Sequence, residues 1–95
     1  MNRQFYVYMM TNENQGTLYV GVSNNLARRV WEHREGVVPG FTSRYRLHKL
    51  VWYQVADNAH AAIAREKQLK AGSRKKKEEL IKEMNPSWRD LSEDF

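Results

Sequence analysis

Two tyrosine-bearing apolar segments lie close together, Phe5-Tyr6-Val7-Tyr8-Met9-Met10 and Leu18-Tyr19-Val20-Gly21-Val22, and a basic segment, Asn25-Leu26-Ala27-Arg28-Arg29-Val30-Trp31-Glu32-His33, follows at once. Phenols, a guanidinium and an imidazole are the groups that orient water, move protons and bind phosphate oxygens. If the first two segments pair as a hairpin, alternate residues share a face, so Tyr6 with Tyr8 and Tyr19 with Gly21 line up. A register with Tyr8 opposite Tyr19 sets Tyr6 opposite Gly21, whose missing side chain leaves a depression beside the phenols. One phosphate could then meet the phenols, the guanidinium and the imidazole together.

Glu66 is the next candidate. Its neighbours at helical spacing are Ala59, Ala62, Ile63 and Leu69, so a carboxylate stands in a core-facing stripe. A buried carboxylate is costly without a cation, a metal or hydrogen-bond donors. The plainer alternative is a half-exposed Glu66 paired with Lys70 at i,i+4. Arg29 and His33, four residues apart, share a helix face and so could reach one oxygen, while Arg28 points about 100° away toward solvent or a distal phosphate. The alternative for this face is simple solvation. The run Arg74-Lys75-Lys76-Lys77 falls at a helix N-terminus, where cations are mildly unfavourable, which points to phosphate contact or, more plainly, to a solvated run offset by Glu78 and Glu79. Tyr45, Trp31 and Trp52 are possible stacking groups for bases, and core packing is the competing role for the tryptophans.

These side chains need a scaffold. Strand patterns run from about Phe5 to Thr11 and from Thr17 to Ser23, joined by a turn over Asn12 to Gly16 in which Gly16 supplies a positive φ. Asn24 or Asn25 caps a helix reaching Glu35, with Leu26, Val30 and Trp31 as its apolar stripe and Gly36 as its stop. A loop follows, with Gly36, Gly40 and Pro39. Leu50-Val51-Trp52-Tyr53-Gln54-Val55 reads as a third strand, central or covered on both faces. Asp57 or Asn58 caps a thin, alanine-rich helix from Ala59 to Ala71, closed by Gly72. Ser73 caps a third, with Leu80, Ile81 and Met84 as its buried edge, ended by Asn85-Pro86. The domain covers residues 1–86, and 87–95 form a tail anchored by Trp88 and Leu91 whose last residues fray.

The 95 residues suffice for one domain with a modest core. Hydrophobic residues make up 41% and charged residues 28%, which excludes wholesale disorder. There is no cysteine, so disulfides and thiolate zinc sites are excluded and any metal must be held by oxygen or imidazole. The start of the chain does not read as a signal peptide and no apolar run approaches membrane-spanning length, so a cytoplasmic location is expected. A net charge of +5, clustered in Arg28-Arg29, Arg44 to Lys49 and Arg74 to Lys77, suits a chain that meets a polyanion.

Tyr6-Val7-Tyr8, Tyr19-Val20-Gly21, Arg29, Glu66 and Asn85 in this order resemble the GIY-YIG nuclease domain, and the chain is most similar to the small stand-alone members of the UPF0213 group. The phrases Tyr19 to Val30, Ala64 to Lys70 and Asn85 to Trp88 extend that resemblance over nearly the whole chain. It departs at Tyr6, where the motif has glycine. The resemblance implies an α+β (α/β class) fold, a small three-stranded antiparallel sheet flanked by helices. It implies Tyr8 and Tyr19 as the motif tyrosines, Arg29 as the family arginine, His33 at a histidine-or-tyrosine position, Glu66 as the metal-holding carboxylate, and Gly21 and Asn85 as supporting residues. The chemistry implied is hydrolysis of a phosphodiester with one Mg²⁺ or Mn²⁺ on Glu66. Arg29 would stabilise the transition-state charge and a tyrosine would activate the water. A free phenol is only about a thousandth ionised at pH 7, so Arg29 and the metal are expected to lower its pKa.

The leading expectation is therefore a metal-dependent endonuclease acting on DNA, in repair or recombination, with a protein partner supplying target specificity. Arg28, Arg44, Arg46, Lys49, Lys70, Arg74 and Lys75 are its candidate nucleic-acid contacts. The competing expectations are a catalytically weak nucleic-acid-binding module and an interaction domain that uses the sheet for protein contacts.

Overall fold

The computed structural model describes residues 4–37 and 46–95. Three strands, β1 (Phe5–Thr11), β2 (Leu18–Ser23) and β3 (Lys49–Ala56), form an antiparallel sheet in the order β2-β1-β3. Helix α1 (Leu26–Glu35) follows β2, and helices α2 (Ala59–Ala71) and α3 (Arg74–Met84) follow β3.

The central strand is β1, not β3 as the run of apolar residues suggests. From Val7 to Thr11 every residue of β1 is buried, because both faces are covered: Tyr8 and Met10 face α1, and Val7 and Met9 face α2 and α3. In β3 burial ends at Trp52, and Gln54 and Val55 face solvent on the edge strand. A bulge accounts for the continuous start of β3. Met9 pairs with Trp52 but Met10 with Leu50, so Val51 is the extra residue. Val51 and Trp52 then both join the α2 side, while Leu50 joins the α1 side.

The hairpin forms with Tyr8 opposite Gly21 and Met10 opposite Tyr19, two residues away from the expected register. An even slip keeps every side chain on its expected face, so Tyr8 and Tyr19 still lie together. At the turn it is Gln15, with φ 58°, that enters the left-handed region rather than Gly16. Gly16 instead donates its N–H to the side-chain oxygens of Asn12 and Asn14, at 2.9 and 3.0 Å.

Each helix begins at a side-chain cap: Asn25 Oδ1 accepts from Arg28 N, Asn58 Oδ1 from Ala61 N and Ser73 Oγ from Lys76 N. Gly36, with φ 70°, closes α1 by donating to the carbonyls of Glu32 and His33. The buried side of α1 is Leu26, Val30 and His33. Trp31 is 56% exposed and does not belong to that stripe, since i, i+4, i+7 spacing carries the buried face past it to His33. Ile63 and Met84 are likewise exposed, leaving α2 to pack through Ala62 and Leu69 and α3 through Ile81 and the half-buried Leu80.

Asn85, 3% exposed, ends α3 and ties the chain together. Its amide donates to the carbonyls of Val51 and Arg89, and its Oδ1 accepts from Arg89 N. The last residues continue past this point. They form a 3-10 turn, Leu91–Asp94, with Leu91 buried on the α1 side and Asp90 Oδ1 accepting from Leu50 N.

Candidate active site

The centre is built where α1 covers β1 and β2. Strand alternation turns Tyr8 and Tyr19 to the α1 face, and one further turn of α1 beyond Arg29 brings His33 onto them. Tyr8 Oη lies 2.9 Å from His33 Nε2, and both residues are buried. The half-buried Tyr19 ring packs against the other two, its centroid 6.2 Å from Tyr8 and 5.5 Å from His33.

Gly21 makes this convergence possible. A Cβ at that position would lie 2.5 Å from Tyr8 Oη and 2.9 Å from Tyr19 Cε2. The depression expected beside the phenols is thus filled by the Tyr8 hydroxyl itself.

Burial raises the Tyr8 pKa above the ordinary phenol range, and the neighbouring Tyr19 adds to the shift; Arg29 opposes it, while Glu66 and Glu32 reinforce it. At Tyr8 the lowering by Arg29 is present, and desolvation outweighs it. Burial also pushes His33 down to about 4, aided by Arg29 and opposed by Glu32. At neutral pH the pair is therefore a neutral phenol on a neutral imidazole. His33 Nδ1 is buried without a hydrogen-bond partner, so the ring holds one unused polar atom.

Arg29 is half-exposed beside this pair, with Nε 3.5 Å from Glu32 Oε1. Glu32 also meets Arg28 at 3.5 Å, bridging both arginines. Sequence reasoning passed over Glu32, although its i+3 and i+4 spacing from Arg29 and Arg28 is the signal for such a bridge. Glu66 is 21% exposed in its side chain, with Oε2 3.5 Å from Lys70 Nζ. It is both half-buried and paired to Lys70, and its charge is felt at Tyr8.

The other candidate contacts do not form one group. Arg28 is exposed on α1, Arg46 and Lys49 stand at the turn end of the sheet, and Lys75 is exposed at the start of α3. Arg44 and Tyr45 lie outside the described residues. Arg74, though exposed, lies along the β1–β2 turn, donating to the carbonyls of Gln15 and Gly16 at 2.5 and 3.1 Å and to Glu78 at 3.0 Å. Trp52 is in the core, whereas Trp31 is open to solvent. Lys77, not singled out from its run, lines a hollow with Tyr19 and Lys70.

No group of three or more acidic or imidazole side chains gathers as a metal cage among the described residues. Two carboxylates act on Tyr8: Glu32, which is held by Arg28 and Arg29, and Glu66, which is left as the single candidate to hold a metal. That donor set fits Mg²⁺ or Mn²⁺ held by a single carboxylate, substrate oxygens and water, the arrangement such hard cations adopt at phosphates.

A hairpin that carries two phenols, joined by an arginine, a histidine and a glutamate from a later helix, is the arrangement that the resemblance to the GIY-YIG nuclease domain implies. The chain matches the family model of the GIY-YIG catalytic domain over residues 4–79 and belongs to that family, a family of nucleases whose substrate class is nucleic acid. It is 34% identical over 83 residues to a UPF0213 protein of Haloquadratum walsbyi, covering 87% of this chain and 92% of the relative. It is 37% identical over 81 residues to a UPF0213 protein of Natronomonas pharaonis, covering 85% and 94%. The solution NMR structure of a UPF0213 protein from Bacillus halodurans shares the fold, with a TM-score of 0.58 at 24% identity and 92% of each chain covered. No helix among the described residues is long and apolar enough to cross a membrane.

Proposed function

We propose that this chain is a metal-dependent endonuclease that hydrolyses phosphodiester bonds in DNA, at structures that arise in repair or recombination, with target choice supplied by a protein partner. The observation that supports this most is the buried Tyr8–His33 hydrogen bond with Tyr19 packed against both rings and the opposed charges of Arg29 and Glu66 acting on it. A structural core gains nothing from that combination, since burying polar groups among charges costs stability.

Arg29 is placed to bind a non-bridging phosphate oxygen and to stabilise the charge that grows there in the transition state. To do so it exchanges its half-exposed contact with Glu32 for the substrate. Tyr19, half-buried and lining the open hollow, is the phenol that meets the attacking water. Tyr8, 2% exposed with its Oη on His33, holds the neighbouring ring and keeps a neutral imidazole next to the reacting face. His33, neutral at neutral pH, positions Tyr8 through Nε2 rather than storing a proton, because burial disfavours the imidazolium. Glu66 would hold the divalent ion, which when bound would neutralise phosphate charge and favour departure of the leaving oxygen.

The test is cleavage of supercoiled, single-stranded and branched DNA with Mg²⁺ or Mn²⁺ by the native chain, Glu66→Gln and Tyr19→Phe. Loss of cleavage by about 100-fold or more in both variants, with binding retained, is expected. Tight binding without cleavage on every substrate and with either metal would replace this reading with that of a catalytically weak binding module.

A further inference from the structure

The corner between α2 and α3 brings two lysines to the free edge of the sheet. Gly72 breaks the helix after Ala71, Ser73 restarts it, and Lys70 and Lys77 come from opposite sides of that break. Together with Leu18, Tyr19 and Val20 of β2 they line a hollow of about 270 Å³. Among the described residues β2 pairs with β1 alone, which makes it an edge strand of the sheet.

The two lysines are held differently. Lys77 is half-buried and its Nζ donates to the Gly72 carbonyl at 2.9 Å, which fixes the ammonium with two donors still to place. Lys70 is half-exposed and tied to Glu66 by an i,i+4 pair at 3.5 Å, a contact worth only a few tenths of a kcal/mol and readily exchanged. Among the described residues no carboxylate lines the hollow, and Tyr19, the phenol shared with the candidate active centre, does. A fixed cation, a movable cation and an aromatic wall next to the reacting phosphate suit a strand that continues past the cut.

We infer that this hollow is the subsite for the phosphate adjacent to the scissile one on the cleaved strand, with Lys77 as its fixed contact and Lys70 as its second. The inference rests on the nuclease reading and names the residue that sets how far the strand must extend beyond the bond being broken. Lys77 is a substrate-positioning residue here.

The experiment is equilibrium binding without divalent metal, so that cleavage plays no part. A short single-stranded DNA is titrated with the native chain, Lys77→Met, Lys77→Arg and Lys82→Met, each checked for folding by circular dichroism. Loss of one phosphate contact lowers the slope of log affinity against log salt by about 0.7 for single strands. Lys77→Met is expected to show that loss, Lys77→Arg to recover it and the exposed Lys82→Met to show none. A scan of single methylphosphonate substitutions should find one position that weakens the native chain and has no effect on Lys77→Met. An unchanged slope in folded Lys77→Met, with DNA still bound, overturns the subsite alone. Absence of DNA binding by the native chain overturns the nucleic-acid reading as well. Equal displacement by an acidic peptide would assign the hollow to a protein partner and overturn the inference.

Discussion

Tyr8 Oη and His33 Nε2, 25 residues apart in the chain, are 2.9 Å from each other in the interior of the protein. The hairpin supplies one group and the last turn of α1 the other, so the contact reports directly on whether α1 is seated on the sheet. Burial of the pair sets both protonation states, since it disfavours the phenolate and the imidazolium alike.

Acid should therefore unseat α1. His33 in the folded protein titrates near 4, below the ordinary histidine value of about 6.5, so the unfolded chain binds this proton more readily. The contribution to stability is complete above pH 6.5 and is lost as pH falls from there toward 4, by up to about 3 kcal/mol. Urea melts between pH 4 and 7.5 should show this slope in the native chain and a flatter one in His33→Gln. Matching slopes in the two proteins would refute the assignment.

Gly21→Ala tests the packing of the two phenols. The new methyl falls 2.5 Å from Tyr8 Oη and 2.9 Å from the Tyr19 ring, so the rings must move. A loss of about 1–3 kcal/mol is expected, as for other overpacked sites. The His33 ring resonances in NMR should shift with it, because Tyr8 can no longer hold its position on Nε2. An unperturbed His33 spectrum in the folded variant would contradict this geometry.

Asn85→Ala removes three hydrogen bonds at once and leaves the Val51 carbonyl and both Arg89 backbone groups without this partner. Unsatisfied buried groups cost about 1–3 kcal/mol each, so a stability loss of at least about 2 kcal/mol is expected. Asn85 acts by fastening the end of α3 to β3 and to the C-terminal segment. Below the melting transition, DNA affinity should stay within about twofold of the native value. A large fall in affinity without a change in melting would show that Asn85 meets the substrate.

Arg74→Ala should behave as a stability variant as well. All three of its guanidinium nitrogens have acceptors inside the protein, two of them carbonyls of the β1–β2 turn. The expected cost is about 1–2 kcal/mol in thermal melts, with the salt slope of DNA binding unchanged. A slope lowered by about 0.7 would instead place Arg74 on the phosphate backbone.

Much of the scaffold is readable from local signals. Strands over Phe5 to Thr11 and around Leu50 to Val55, and helices opened by Asn25, Asn58 and Ser73, follow from alternation and capping chemistry that neighbouring residues decide among themselves. What the sequence hides depends on distant parts of the chain. The hairpin register is two residues away from expectation because both registers place the same residues on the same face, and only the fit of Tyr8 over Gly21 distinguishes them. Trp31 looks like core by type, yet the buried face of α1 passes from Val30 to His33. The family resemblance named Tyr8, Tyr19, Arg29, His33 and Glu66. It could not foretell that burial makes Tyr8 a weaker acid, since that follows from packing. Nor does a run of four basic residues reveal that Arg74 folds onto a turn 58 residues earlier while Lys77 borders the Tyr19 hollow.

The central strand has one neighbour that follows it directly and one that is made much later. As the chain leaves the ribosome, N-terminus first, β1, β2 and α1 emerge with both phenols, Arg29 and His33 before β3 and α2 do. The emerged part of the chain at that stage carries the aromatic and basic half of the centre and lacks Glu66. The order of synthesis thus withholds the carboxylate until the chain is long enough to complete the sheet that carries the rest.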